Sequence, residues 1–174
     1  MTRFRFLSAI GFALVLCVST ANAQTSFQAN LDGLQEVPPN ASPAFGAADF
    51  SLSGAILSIV ASTGTYADLL GGSTAVTLND AAVGVNGPVI SVLTLDTPGA
   101  NSGTFSGSAT LTVGQLADLV AGNTYVNIRS NVFPSGEIRG QLFVTPEPGS
   151  AVLLALGGLS GLAVGLRRRK RSAA

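Results

Sequence analysis

No histidine and no tryptophan occur in the 174 residues, and the one cysteine, Cys17, lies near the start. Lysine is also missing between Gln24 and Val144. A side-chain base working near neutral pH in that stretch must be a carboxylate, which excludes Ser-His-Asp triads and thiol nucleophiles there. Zinc and copper sites built from imidazole and thiolate are excluded as well. Only hard, oxygen-liking cations such as Ca²⁺ remain for the acids to hold. With no second thiol, no disulfide staples the middle of the chain, which must hold together by packing.

Cations are scarce and segregated. Residues 1–23 carry Arg3 and Arg5 (+2), residues 24–144 carry two arginines against eight acids (−6), and residues 145–174 carry five basic residues against Glu147 (+4), so the net charge is zero. The basic ends flank apolar runs and the acidic middle does not, the layout of an exported protein with targeting information at each end. The acidic middle opposes nucleic-acid binding, which rewards clustered Lys and Arg. Its length suits one hydrophobic core and is too short for two domains.

At the N-terminus, Arg3 and Arg5 precede the apolar stretch Phe6 to Val18 and then Ala21-Asn22-Ala23, a small-x-small site. This is the three-part layout of a signal peptide, cut after Ala23 by signal peptidase; the alternative is an uncleaved anchor, for which the apolar run falls short of the ~20 residues of a spanning helix. At the C-terminus, Pro146-Glu147-Pro148 opens a linker that no helix can cross. An apolar run from 151 to 166 follows, closed by Arg167, Arg168, Arg169, Lys170 and Arg171. The run can span a membrane only with the arginine stems snorkelling, and its cations place the acidic domain outside. These three parts resemble a PEP-CTERM sorting signal. The resemblance implies a Gram-negative bacterium that makes extracellular polysaccharide, an exosortase-type membrane protease cutting near the PEP motif, and a transient stay in the inner membrane before release to the cell surface or extracellular matrix. A permanent membrane anchor is the competing reading.

The middle alternates short β-rich runs with Gly, Asn, Ser and Pro punctuation. Phe27, Ala29 and Leu31 share one face of a first strand. Ala48–Ser53 and Ile56–Ser62 read as a hairpin, followed by strands at Ser73–Leu78, Val89–Leu95 and Thr104–Leu111. A last pair, Tyr125–Asn131 and Glu137–Val144, surrounds Phe133-Pro134-Ser135-Gly136. One helix is predicted, capped by Thr112 with Gln115 completing the box, with Val113, Leu116, Leu119 and Val120 as its apolar stripe and Gly122 as its stop. The expected fold is all-β: an antiparallel sandwich or barrel-like Greek-key domain with one short helix, flanked by a signal peptide (1–23) and a C-terminal transmembrane helix within the sorting signal (145–174).

Within residues 24–144, Leu31-Asp32-Gly33-Leu34-Gln35-Glu36-Val37-Pro38-Pro39, Asn86-Gly87-Pro88-Val89, Tyr125-Val126-Asn127-Ile128 and Pro134-Ser135-Gly136-Glu137-Ile138-Arg139-Gly140-Gln141-Leu142 together resemble the CHRD domain, first named from chordin. The resemblance implies an extracellular all-β module acting by binding or as a structural component, with extracellular polysaccharide or surface proteins as partners. It also implies a His-x-His before the N-G-P turn and another His after the Y-V-N strand. This chain has Thr77, Leu78 and Asn79, and then Arg129, at those places. Either a metal or acidic-ligand site has been lost, or a polar cluster has been rebuilt with other hydrogen bonds.

Strand alternation puts Tyr125, Asn127 and Arg129 on one face and Glu137, Arg139 and Gln141 on one face of the next strand. Arg129 and Glu137 then become cross-strand neighbours. Glu36, Arg129, Glu137 and Arg139 are expected to form a structural network, with Pro38, Gly87, Asn127, Gly136 and Gly140 as the other motif positions. Neither a catalytic residue nor a cofactor is assigned. Two alternatives stay open: a glycoside hydrolase using Glu36 and Glu137, and a Ca²⁺ module drawing on Asp68, Asn79, Asp80, Asp96 and Asn101 in or near turns.

Overall fold

The computed structural model describes residues 24–145. The processing and sorting positions Ala21, Ala23, Pro146, Glu147, Pro148, Arg167, Arg168 and Arg169, with the apolar run 151–166, lie outside the described residues. No helix among the described residues is long and apolar enough to cross a membrane.

The strands are β1 (Thr25–Asp32), β2 (Phe45–Ser53), β3 (Ile56–Ile59), β4 (Thr65–Ala67), β5 (Ser73–Asp80), β6 (Val89–Leu95), β7 (Gly103–Ser106), β8 (Ser108–Thr110), β9 (Thr124–Ser130), β10 (Ile138–Gln141) and β11 (Phe143–Thr145), with helix α1 (Val113–Val120) between β8 and β9. A 3-10 turn, Gly33–Gln35, follows β1, with the Asp32 carboxylate accepting from the Gln35 N–H. Strands β1, β10, β9, β5, β6, β7, β4 and β2 pair in that order, and β2 returns to β1, so eight strands close a barrel. All pairings are antiparallel. Of the two expected architectures the barrel is found, and closure removes most of the free edges that a sandwich would leave.

The long β1–β2 ribbon matches eight residue pairs, from Thr25↔Leu52 to Asp32↔Phe45. On its other side β1 meets β10 only at Asp32↔Arg139, because residues 26–28 pair instead with β11. The run expected as one strand over Glu137–Val144 therefore divides at Leu142. The Thr104–Leu111 run divides at Gly107 for a similar reason: β7 serves β4 and β6, while β8 serves β3. Strand β4 was hidden in the sequence by its length of three residues and by turn-forming neighbours.

Inward-facing positions fill the barrel. Phe27, Ala29 and Leu31 of β1, Ala48 and Phe50 of β2, Val76 and Leu78 of β5, Val126 and Ile128 of β9, Ile138 of β10 and Leu142 beyond it belong to one core with Leu57, Phe105 and Leu119. Each Val, Leu, Ile and Phe side chain among them contributes roughly 1.5–3 kcal/mol on burial, and the alanines less. Helix α1 carries the expected box: Thr112 Oγ1 accepts from Gln115 N–H, and Gln115 Oε1 accepts from Thr112 N–H. Its expected stripe is too wide. Leu119 is buried and Leu116 partly so, but Val113 and Val120 remain 86% and 63% exposed. A two-turn helix lying against a convex barrel presents only one row to it.

Candidate functional site

The sheet β5–β9–β10 is buried on both faces. Its inner face is the apolar core. Its outer face carries Thr77 and Asn79 of β5, Tyr125 and Asn127 of β9, and Arg139 and Gln141 of β10, all buried. A loop between β5 and β6, residues 81–88, lies over this outer face. Arg139 Nη1 donates to the Val85 carbonyl at 2.9 Å and Nη2 to the Ala82 carbonyl at 3.1 Å. The guanidinium carbon sits 3.5 Å from the centre of the Tyr125 ring, a desolvated cation–π contact. The Tyr125 hydroxyl accepts from Gly87 N–H, Asn79 Nδ2 donates to the Gly87 carbonyl, and Gln141 Nε2 donates to the carbonyls of Ala81 and Gly122. Asn86 Nδ2 reaches the carbonyl of Val37, whose peptide bond to Pro38 is cis. The N-G-P loop, the Glu36–Pro38 segment and the last hairpin thus interlock through side chains that donate to loop carbonyls.

Glu137 has a different task from the one its sequence position suggested. The β9–β10 register would set it opposite Arg129, yet no ion pair forms among the described residues. Instead Glu137 Oε1 accepts from Ser42 Oγ at 2.7 Å and from Leu70 N–H at 2.6 Å, and the Glu137 carbonyl accepts from Asn40 Nδ2. The carboxylate clasps two loops, at residues 40–42 and 68–72, to the start of β10. In place of the expected Arg129–Glu137 pair, Arg139 and Glu137 each bond to neutral groups. The signal for Ser42 and Leu70 was absent from the sequence because both belong to loops that only the fold brings near residue 137. Glu137 is fully buried, so a polysaccharide chain has no access to it, and this geometry gives no support to the carboxylate-pair hydrolase.

Glu36, Asn127, Arg129 and Gly136 form a small polar niche. Glu36 is buried, and its Oε1, the Asn127 Oδ1 and the Arg129 Nε have no hydrogen-bond partner among the described residues. A Cβ on Gly136 would lie 2.5 Å from Glu36 Oε1 and 2.6 Å from both Asn127 amide atoms, and its φ of +151° is open to glycine and strained for other residues. Gly136 thus keeps the space between Glu36 and Asn127 clear. Burial raises the Glu36 carboxyl from 4.5 to about 7, against the lowering effects of Arg139, the Val37 N–H and Arg129. Burial also lowers the Arg139 pKa, opposed by Tyr125 and Glu36.

At the positions where the resemblance implied histidines, Thr77 Oγ1 donates to Asn79 Oδ1 at 2.7 Å, which leaves the Asn79 amide nitrogen for the Gly87 carbonyl. Thr77 stands opposite Asn127, and Ala75 opposite Arg129. The turn acids do not converge on a cation: no group of three His, Cys, Asp or Glu side chains placed to hold a metal occurs among the described residues. Asp96 accepts from Thr104 and Ser106, and Asn101 Nδ2 donates to the Leu69 carbonyl. Gly140 lies in β10 opposite Val126.

A second feature, missed in the sequence, lies beside the loop-covered face. Gln28, Asn30, Gln35, Gln141, Phe143, Val144 and Thr145 line an open groove of about 420 Å³. Its residues are far apart in sequence, and only the β11–β1–β10 pairing assembles them.

Neither a curated protein nor a solved structure shows a significant match to the chain. Residues 27–142 match the CHRD domain family, a span that begins in β1, ends at the Leu142 break after β10 and includes every interlocking segment described above. The chain belongs to the CHRD domain family.

Proposed function

We propose that this protein is an exported, non-catalytic CHRD module that works at the cell surface or in the extracellular matrix by binding or as a structural component. One observation carries the reading: the polar side chains of the CHRD motifs are occupied in holding loops to the barrel. Arg139, Gln141 and Asn79 all donate to loop carbonyls, and Glu137 is enclosed by Ser42 and Leu70. A buried constellation whose hydrogen bonds are spent largely on its own loops, with Glu137 Oε2 and the Glu36–Asn127 niche left unpartnered among the described residues, supports a rigid scaffold, and function then falls to the scaffold's surface.

The ends of the sequence supply the address. Signal peptidase would act after Ala23, and an exosortase-type protease near Pro146-Glu147-Pro148, after a transient stay of 151–166 in the inner membrane with Arg167, Arg168 and Arg169 on its cytoplasmic side. Terminal-peptide mass spectrometry on the protein from fractionated native cells tests this. The expected result is Gln24 as the N-terminus and a C-terminus near Pro146, in the outer or medium fraction. An intact tail through Ala174 in the membrane fraction would make the protein a tethered module, and an intact Met1 in the cytosol would refute export.

A further inference from the structure

The groove across β1, β10 and β11 has a chemistry of its own. Most of its side chains come from three neighbouring strands, with Gln35 added from the 3-10 turn, and Phe143 lies directly opposite Gln28. Four of its lining residues are amides, one is aromatic, and none is charged. Its volume falls within the ~300–1,000 Å³ usual for small-ligand sites.

Two of the amides are fixed, one is tied by its nitrogen alone and one makes no hydrogen bond among the described residues. Gln35 Nε2 donates to the Asn30 carbonyl and to Asp32, and its Oε1 accepts from Gln141 N–H. Gln141 is held at both ends of its amide, by Arg139 on one side and by the Ala81 and Gly122 carbonyls on the other. Asn30 is exposed, and its side-chain amide has no hydrogen bond to another described residue. Gln28 gives only its Nε2, to Asp49. The free amide of Asn30 offers a donor and an acceptor side by side, and the Gln28 oxygen adds an acceptor, the pattern that matches neighbouring hydroxyls.

Phe143 completes the groove. It is 58% exposed although it sits in a strand. Gly122 at the end of α1 has a φ of +78°, and a Cβ there would lie 3.7 Å from the Phe143 ring. The ring edge is thus seated against backbone and much of the ring is left to solvent. An exposed aromatic ring is a platform for the apolar C–H face of a pyranose. The acidic surroundings, Asp32 and Asp49 on the rim and two arginines against eight acids over residues 24–144, oppose an anionic polymer.

We propose that this groove docks a neutral polysaccharide strand, with Phe143 stacking on one sugar ring and the Asn30 and Gln28 amides reading its hydroxyls. This rests on the extracellular binding reading above and gives it a ligand class and a place.

The test is native affinity electrophoresis of the full chain in detergent micelles. The gels contain dextran, β-1,3-glucan, galactomannan or xylan, with alginate as the anionic comparison. Retardation is expected in at least one neutral gel and not in alginate, with apparent affinity falling at least ten-fold in Phe143→Ala and several-fold in Asn30→Ala. Phe45→Ala, equally exposed at 58% but lining a neighbouring groove that shares only Asn30 with this one, should behave as wild type. Unchanged melting temperatures for the three variants exclude unfolding as the cause. Retardation that persists in Phe143→Ala would overturn the groove and leave the binding module standing. Absence of retardation in every neutral gel, or strongest retardation in alginate, would overturn the neutral-glycan assignment. Export itself is judged separately by the terminal peptides.

Discussion

Replacing Glu36 with Gln should make this protein more stable at pH 8 and leave it unchanged at pH 4. The carboxyl is held at about 7 in the folded chain against 4.5 in the open chain, mainly because burial disfavours its charge. Below 4.5 both states carry the proton, and ionisation costs the folded state nothing. Between 4.5 and 7 the folded state holds the proton more tightly than the unfolded state does, so stability falls as pH rises. Above 7 the carboxylate is ionised in both, and the folded state carries the full cost of a desolvated charge. At 1.36 kcal/mol per pH unit this amounts to about 3 kcal/mol, or on the order of 10 °C in melting temperature. Urea denaturation of the full chain and of Glu36→Gln in mild detergent, from pH 4 to 8.5, measures it directly. Asp80, also raised by burial and by Asp118, contributes a slope of the same sign. The difference between the two proteins isolates Glu36. Identical pH slopes, or a Gln variant less stable at pH 8, would show that Glu36 is ionised and well partnered in the fold and would refute the reasoning.

Arg139→Lys should destabilise the domain by about 2 kcal/mol or more, because an ammonium cannot donate to the Val85 and Ala82 carbonyls at once while lying flat on Tyr125. Hydrogen exchange should speed up first at residues 81–88, and an unchanged Gly87 amide would contradict the loop-fastening role. Gly136→Ala should cost about 2–3 kcal/mol in chemical denaturation, since the new methyl meets Glu36 and Asn127 at a strained φ. A change below about 0.5 kcal/mol would mean that the niche between those two residues is not held open by glycine.

Much of the fold was legible where one element obeys one rule. The capping box at Thr112 and Gln115, the hairpin through Ser53-Gly54-Ala55 and the inward set Phe27, Ala29 and Leu31 all follow from local spacing and appear as expected. What could not be read was pairing that divides a continuous run. Nothing in Glu137–Val144 announces that Leu142 will donate its N–H to Thr124 and release Phe143 to β1. The site shows the same boundary. Alternation correctly grouped Tyr125, Asn127 and Arg129 and set Arg139 beside Gln141, but it could not reveal that the partners are carbonyls of residues 81–87. Backbone groups carry no sequence signature, and charge therefore suggested an ion pair where the fold gives Glu137 neutral donors and Arg139 neutral acceptors.

The loop-covered face and the amide groove are coupled through one residue. Gln141 accepts from Arg139, donates to Ala81 and Gly122, and gives its backbone N–H to Gln35, so it belongs at once to the fastening of the loop and to the lining of the groove. Thr77 and Asn79, at positions where the CHRD resemblance implied histidines, are committed to the same loop through Gly87. Imidazoles there could hold a ligand while fastening less; a Thr–Asn pair, which satisfies itself and then a carbonyl, does the reverse. In this chain the Thr77–Asn79 pair leaves the covered face with neutral groups committed to the loop. Gln141 joins that face to a surface where the Asn30 amide, the Gln28 amide oxygen and much of the Phe143 ring are left to meet something outside the domain.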